Sequence, residues 1–431
     1  MKFGDFVKLK GLESAAGFRE NLQRLGLDMP CDDEVALGGA SSLAQPLQVH
    51  GWTIGNRWCV QPMEGWDGLA DGRPSENTLR RWRHFGASGA KLVWGGEAVA
   101  VRHDGRANPQ QLVLNEHTQG DIARLREALI GEHRQAMGSD AGLVIGLQLT
   151  HSGRFCKPND PAHMEPQVLF RHPLLDGRFG PAERIRVMED GDIRALIDDF
   201  VRAAKRARDI GFDFVDLKHC HGYLGHEFLA AKTRPGDFGG SLENRTRFLR
   251  ELVAGIRAEA PGLEMGVRLS ALDFLPYRPD PARSTPELLG PGVPVDFRAA
   301  LPYRYGFGLD AQDPLQSGLD EAAGFIEVAQ GLGIRLFNIT LGSPYYNPHL
   351  TRPALYPPSD GYQPPEDPLI GVMRHLAAVR DLKRRFPELV FAGSGYTYLQ
   401  EFLPQVAQAV VRPGWTDLVG LGRLMLACPE L

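Results

Sequence analysis

The sequence has little of what marks a metalloprotein, a membrane protein or a nucleic-acid binder. Its five cysteines (Cys31, Cys59, Cys156, Cys220 and Cys428) are widely spaced and form no C-x-x-C pair. That excludes a zinc-ribbon ligand set, an iron–sulfur set and a disulfide framework, so no metal is expected and a reducing compartment is. No run approaches the roughly 18 apolar residues that a membrane span requires. The opening Met-Lys-Phe-Gly-Asp-Phe-Val-Lys lacks the apolar core of a signal peptide, which leads to the expectation of a cytoplasmic protein. Basic residues never cluster beyond Arg80-Arg81 or Lys383-Arg384-Arg385, and the formal net charge is −5. The electrostatic footprint of a nucleic-acid binder is therefore missing. The expected partner is a small molecule, and a homo-oligomer is compatible with everything above.

What the chain does have is a rhythm. Short apolar runs alternate with amphipathic stretches about eight times. The expected strands are Trp58–Pro62, Lys91–Gly95, Leu143–Leu149, Phe214–Lys218, Glu264–Ser270, Leu336–Thr340, Leu389–Gly393 and Asp417–Gly420. Most are rich in Val, Ile, Leu and Phe, as strands buried on both faces are. Helical spacing is clearest over Asp192–Ile210, Leu242–Ala260 and Asp367–Phe386. Eight strands separated by helices favour an α/β fold of the (β/α)8 TIM-barrel type over an open doubly wound sheet, the alternative. We read residues 1–45 as an N-terminal extension with one amphipathic stretch (Ala15–Leu25), and 46–431 as the barrel. No eighth helix follows the last strand; either the chain is truncated there or the extension closes the barrel. Phe155–Asp190 and Leu272–Gly318 are long, Pro-rich and aperiodic, and both follow strand ends. They are expected over the catalytic face as pocket-building insertions.

Several strands finish on residues that a packed core does not need. Strand three runs into Gln148-Leu149-Thr150-His151-Ser152-Gly153-Arg154, and strand four into Lys218-His219-Cys220-His221-Gly222-Tyr223. Strand five carries Arg268-Leu269-Ser270, and strand six Asn338-Ile339-Thr340. Strands seven and eight end on Gly393-Ser394-Gly395 and Gly422-Arg423. Glycines there let backbone N–H groups approach a phosphate, and a guanidinium adds a bidentate charge. Two ordinary glycine turns explain that last pair equally well when it stands alone.

Taken together these stretches resemble the Old Yellow Enzyme (NADH:flavin oxidoreductase) family, from about Leu47 to the C-terminus with the two insertions interrupting. The most specific piece is His221-Gly222-Tyr223-Leu224-x-x-x-Phe228-Leu229, followed by Arg234-x-x-Asp237-x-Gly239-Gly240-Ser241-Leu242-Glu243-Asn244-Arg245. Pro62-Met63, Glu97, Gln148-x-x-His151-x-Gly153-Arg154 and Val267-Arg268-Leu269-Ser270 also match. The resemblance implies FMN at the barrel mouth and NADH or NADPH as reductant. Pro62, Met63 and Glu64 would lie beside the isoalloxazine and Gln148 at its pyrimidine edge. Arg268 would face N1 and O2, and Gly393, Gly395, Gly422 and Arg423 would hold the phosphate. The Gly-Gly-Ser-Leu-Glu-Asn-Arg stretch is expected to be structural, with Ser241 or Asn244 as a cap and Arg245 in an ion pair.

The resemblance also implies hydride delivery to an activated alkene, with Tyr223 donating the proton. Lys218 and His221 would stand where the family clamps the substrate carbonyl, with His151 and Tyr345 beside the substrate. Trp66, Trp94, Tyr305 and Tyr346 are further candidates for its walls. Two residues depart from the family pattern. Lys218 replaces the first histidine of His-x-x-His, and Glu64 replaces a small residue after Pro62-Met63. Lys218 is a cationic clamp, an ion-paired residue or a Schiff-base nucleophile; we expect it to pair with Glu64 across the mouth. The competing functions are a redox demethylase or dehydrogenase on the same flavin barrel, a non-redox lyase using Lys218, and a non-catalytic flavoprotein.

Overall fold

A computed structural model describes residues 3–178, 182–356 and 361–429. Eight parallel strands form its centre: β1 (Trp58–Val60), β2 (Leu92–Val93), β3 (Val144–Thr150), β4 (Phe214–Leu217), β5 (Glu264–Ser270), β6 (Leu336–Thr340), β7 (Val390–Gly393) and β8 (Leu418–Leu421). Each pairs with the next in chain order. β8 then pairs with β1 through Val419↔Trp58 and Leu421↔Val60, which closes the cylinder. All eight overlap the strands expected from the sequence, because burial on both faces selects the short apolar runs that pattern reading detects.

Helices Glu76–Ala87, Gln119–Met137, Asp190–Asp209, Arg247–Glu259, Asp320–Gly331, Pro368–Arg385 and Leu403–Val411 surround the barrel. Local chemistry fixes their starts. Ser75 and Thr78 form a reciprocal capping box, and Asp367 accepts from the Leu369 N–H with Pro368 at the first helical position. Ser241 caps a short helix by accepting from the Asn244 N–H at 3.2 Å, and Arg245 pairs with Glu321 at 2.8 Å. The glycine-rich stretch is structural, as expected. No helix among the described residues is long and apolar enough to cross a membrane.

The barrel interior is divided along its axis. Its N-terminal end is apolar: Val49, Ile54, Leu92, Trp94, Val144, Phe214, Leu336, Val390 and Leu418 form one cluster. Part of that plug is an antiparallel hairpin (Leu47–Val49 with Trp52–Ile54) lying across the cylinder's lower end. Trp94 meets the Phe214 ring edge-on at 5.5 Å. Gly146 is required beside it, since a Cβ there would overlap the Phe214 ring. Trp94 is thus a core residue and does not wall the mouth.

The N-terminal extension packs against the helix preceding β8. Its helix Ala15–Arg24, capped by Ser14, stacks Phe18 on Phe402 with ring centroids 4.5 Å apart. Both Arg412 terminal nitrogens reach Asp32 at 2.9 Å, and the Gln408 amide bonds Asp32, Glu34 and Ala36. The two insertions pack on each other at the opposite, C-terminal end, where His172 and Leu174 meet Tyr303 and Tyr305. A third long connection, after β6, also lies there and holds the helical turn Pro348–Thr351.

Because Phe18 is completely buried in this contact, Phe18→Ala should cost about 3–5 kcal/mol of stability. Limited proteolysis should then cut first within residues 3–46. A melting temperature unchanged from wild type would mean the extension does not contribute to the fold.

Candidate active site

The chain leaves β4 into Lys218–Tyr223, where His221 and Gly222 take consecutive left-handed conformations (φ 67° and 77°). Glycine accepts that backbone freely; histidine does so only when its surroundings hold it. The holding groups come from the ends of β5 and β6. The His221 N–H donates to Ser270 Oγ at 3.0 Å, and Ser270 Oγ donates to the Gly342 carbonyl at 2.9 Å. Ser343 Oγ donates to the His221 carbonyl at 2.7 Å. The sharp turn delivers Tyr223 inward, where its side chain is fully buried.

Tyr223, Glu64, Lys218 and Tyr345 meet there as one cluster. Lys218 Nζ donates to Glu64 Oε1 at 2.7 Å, the pair expected from the sequence. Tyr223 Oη donates to Glu64 Oε2 at 2.6 Å and lies 2.7 Å from Tyr345 Oη. A carboxylate only accepts, so the Tyr223 proton points at Glu64 and Tyr345 donates to Tyr223. Trp66 Nε1 adds a third donor to Glu64 at 3.2 Å. Lys218 Nζ also sits 3.7 Å from the centroid of the Tyr223 ring, a cation–π contact that fixes both side chains. Burial first, then the Glu64 charge, pushes the Tyr223 hydroxyl well above the usual phenol range. His221 moves the other way. Burial, then the positive charges of Arg268 and Lys218, keep it neutral, and its buried Nε2 has no partner.

Below this cluster lies a polar layer spanning β1, β3, β4, β5 and β6. Asp216, fully buried on β4, accepts from the Arg268 backbone N–H at 2.7 Å and from Gln148 Nε2. Desolvation raises its carboxyl to about 6 against those hydrogen bonds. With Nε2 committed to Asp216, the Gln148 amide is held in one orientation. Across the barrel, Asn338 Nδ2 donates to Gln61 Oε1 at 2.6 Å. Gln61 Nε2 in turn donates to the Gly393 carbonyl at 3.1 Å and lies 3.3 Å from Ser394 Oγ. That chain positions the Gly393–Gly395 turn, where Gly395 has φ 92° and lies against His375. The Pro62–Glu64 segment is held from outside: Arg81 donates to the Met63 carbonyl at 3.1 Å while pairing with Asp67 and Glu97. Glu97 is buried and pushed up to about 7, with desolvation outweighing Arg81.

The residues singled out in the sequence therefore fall into three groups. Glu64, Lys218, Tyr223 and Tyr345 are in direct contact. Pro62, Met63, Gln148, His221 and Arg268 lie around them, and Arg268 Nη1 donates to the Pro62 carbonyl at 3.3 Å. Gly393, Gly395, Gly422 and Arg423 follow β7 and β8. His151 is buried; its Nδ1 accepts from the Gly153 N–H at 3.1 Å, and burial lowers it to about 4. Tyr346 is a structural donor to Asp273, and Tyr305 packs between the insertions. Sequence reasoning missed Asp216, Gln61 and Phe155, the last stacked on Tyr345 at 4.4 Å. Asp216 did leave a signal, as a lone acid within the buried run Phe214-Val215-Asp216-Leu217.

FMN, the group implied by the resemblance, was tested against these residues. Arg268 is buried, pairs with no carboxylate side chain among the described residues and leaves Nε unpartnered. A buried cation of that kind calls for an acceptor that the protein does not supply. A Cβ at Gly422 would make ordinary contacts with Met63 and Gln61, the nearest being Met63 Sδ at 3.6 Å, so Gly422 lies beside the segment expected to line the ring. The residues fit FMN: Met63 would line its ring, Gln148 and Arg268 would meet its polar edge, and Gly393, Gly395, Gly422 and Arg423 would hold its phosphate.

Comparison with known proteins agrees. The model of the NADH:flavin oxidoreductase / NADH oxidase family matches residues 42–280, more than half of the chain. An NADPH dehydrogenase of Geobacillus sp. (strain WCH70) is 34 % identical over 248 residues, covering 54 % of this chain and 64 % of that one. An NADH:flavin oxidoreductase of Gibberella zeae is 31 % identical over 258 residues, covering 56 % and 59 %. The matched part is thus less than two thirds of either relative. Among solved structures, a 2-naphthoyl-CoA reductase complex has TM-score 0.65 at 19 % identity, over 90 % of this chain and 51 % of that chain. An old yellow enzyme homologue from Zymomonas mobilis has TM-score 0.61 at 19 % identity, over 90 % of each. These two show the same barrel continuing through β6–β8, beyond the family match. The chain belongs to the NADH:flavin oxidoreductase / NADH oxidase family, whose cofactor is FMN and whose reductant is NADH or NADPH.

Proposed function

We propose that this chain is an FMN-dependent NAD(P)H oxidoreductase that reduces an alkene activated by a conjugated carbonyl or carboxylate. One observation carries the reading: a buried phenol, Tyr223, is held protonated at the mouth between Glu64 and the rim-exposed Tyr345. When bound, FMN supplies the hydride, taken from the nicotinamide and passed to the β-carbon of the substrate.

The chain's own residues then account for the rest. Tyr223 Oη donates its proton to the α-carbon. A phenolate beside the Glu64 carboxylate would be strongly disfavoured, and Lys218, in contact with both, offsets that repulsion. Tyr345, 36 % exposed and hydrogen-bonded to Tyr223, connects the phenol to solvent for reprotonation. His221, neutral with a free ring nitrogen, would stabilise negative charge developing on the substrate oxygen, and Arg268 would do so at the pyrimidine edge. Lys218 fits the ion-paired role best. Its Nζ is taken up by Glu64 and the Tyr223 ring, which speaks against a free amine nucleophile and so against the lyase alternative.

Tyr223→Phe should slow reoxidation of the reduced enzyme by 2-cyclohexenone or an enoate by about 10²–10⁴-fold, leaving reduction by NAD(P)H nearly unchanged. Equal reoxidation rates would reject Tyr223 as the donor. A raised phenol pKa keeps the donor form present above its usual titration range. Reoxidation should therefore show no alkaline fall from pH 6 to 9, and a break near 8 would contradict the assignment. Lys218→Met removes a positive charge from the mouth and should lower the flavin midpoint potential; an unshifted potential would disconnect the Glu64–Lys218 pair from the cofactor.

A further inference from the structure

A short helix, Leu224–Ala230, begins directly after the turn that carries Tyr223, with Tyr223 as its N-cap. It is firmly seated. Gly225 lies against the Lys218 carbonyl, where a Cβ would not fit. The Leu224 N–H donates to the His151 carbonyl at 3.1 Å, and Phe228 stacks on Phe248 with ring centroids 4.3 Å apart. From this platform His226 reaches back to the turn: its Nδ1 accepts from the Gly222 N–H at 3.0 Å. A backbone N–H only donates, so Nδ1 is unprotonated and the ring proton sits on Nε2. Burial, then the nearby His219, pushes His226 down to about 3 and keeps the ring neutral. The ring is buried and meets Phe307 edge-on at 6.3 Å.

In a capping box, the third residue of a helix accepts from the N–H of the N-cap itself. His226 is that third residue, but it serves the N–H one position earlier. Among the described residues no other acceptor takes the Gly222 N–H. The opposite side of Gly222 is closed as well. A Cβ there would come within 2.8 Å of the Tyr346 ring, and Tyr346 is fixed by its bond to Asp273 at 3.1 Å. The left-handed Gly222 peptide is thus pinned between His226 and Tyr346, as His221 before it is pinned by Ser270 and Ser343.

On the reading that Tyr223 is the proton donor, we propose that His226 is a positioning residue for it, holding the Gly222 N–H so that the phenol keeps its line to the substrate. A phenol has one proton, and in the resting site that proton points at Glu64. To reach the α-carbon it must leave Glu64, so the contact that holds the hydroxyl from the front is given up in the reactive step. The His226 contact acts from behind, through the backbone, and is unchanged by proton transfer. Tyr223 Oη lies at the far end of a long side chain, which enlarges any rotation of the Gly222 peptide. A shift of about 1 Å at a reacting group can cost about 10²-fold in rate. His226 itself touches neither the Glu64–Lys218 pair nor the Tyr223 hydroxyl, so its effect is confined to aim.

The test follows both half-reactions of FMN-loaded protein by rapid mixing, with NADH or NADPH as reductant and 2-cyclohexenone, an enoate or oxygen as oxidant. His226→Phe keeps a ring against Phe307 and removes the acceptor. His226→Asn loses the ring but keeps an acceptor, Oδ1, where Nδ1 stood. The Phe variant should slow reoxidation by the alkene about tenfold or more. Its reduction, and its reoxidation by oxygen, which puts no proton on carbon, should hold. The Asn variant should recover most of the loss. In a Tyr223→Phe background, His226→Phe should add nothing further, because both act through one group. Alkene reoxidation at the wild-type rate in His226→Phe overturns the proposal. So does an Asn variant slower than Phe, which would make the ring a packing element, and so does an additive double mutant. Should the Phe variant not retain FMN, His226→Asn decides alone: alkene reoxidation near the wild-type rate upholds the proposal, and a loss of about tenfold overturns it. A Tyr223→Phe variant that reoxidises normally sinks the functional reading, whereas a slow Tyr223→Phe beside an unimpaired His226→Phe rejects the role of His226 alone.

Discussion

The site depends on a single carboxylate. Glu64 stands at the end of β1 and receives Lys218 from β4, Tyr223 from the turn after it, and Trp66 from its own loop. Two opposite charges at about 4 Å attract by about 4 kcal/mol at the effective dielectric of a protein site, roughly the scale of the desolvation they incur. Such a pair adds little net stability. What it does is fix geometry: removing either partner would leave the other charge buried and unmatched, so neither can swing away. Through Tyr345, which donates to Tyr223, the constraint reaches the connection after β6. One carboxylate therefore ties together the C-terminal ends of three barrel strands.

The barrel beneath makes this arrangement affordable by separating its two tasks along one axis. Stability resides at the N-terminal end, where the hairpin, Trp94 and Phe214 form a dry plug. The upper end carries polar groups that would be unstable if unpaired, and nearly all are paired with each other. Asp216 links Gln148 to the Arg268 backbone, and Gln61 links Asn338 to the turn after β7. Asp216 joins neighbouring strands and Asn338–Gln61 reaches across the interior, so Gln148 and the Arg268 backbone are held together on one side and Gly393 on the other. Among the buried atoms left without partners there are Arg268 Nε, His221 Nε2, His151 Nε2 and Asn338 Oδ1.

Much of this was legible in the sequence, for a definite reason. Strands buried on both faces read as apolar runs, and polar residues at their C-terminal ends stand out against them; Lys218, Tyr223, Arg268 and Gly422-Arg423 were visible that way. The Glu64–Lys218 pair was legible as two departures from one family pattern that compensate in charge. Other features left weaker traces. Asp216 looks like a single interruption of a strand until its two donors, 68 and 52 residues away in sequence, are known. Trp94 reads as a mouth aromatic because it follows β2, yet it packs in the plug against Phe214. The connection after β6 has no periodicity, so its ordered turn is visible only through contacts with Leu341 and His375.

Charge distribution follows from the same geometry. The chain as a whole is acidic, at −5, but the C-terminal ends of its strands gather Lys218, Arg268 and Arg423. Among the described residues, Lys218 alone of these is matched by a carboxylate side chain. Positive charge gathered at one end of a barrel attracts anions more than neutral molecules. It also explains why a carboxylate beside the reacting atoms is tolerable in a protein whose reduced cofactor carries negative charge. Glu64 is neutralised locally by Lys218 and its repulsion is further screened by Arg268. Replacing a small residue with Glu64 would harm such a site unless Lys218 arrived with it, so the two departures from the family pattern are one physical change.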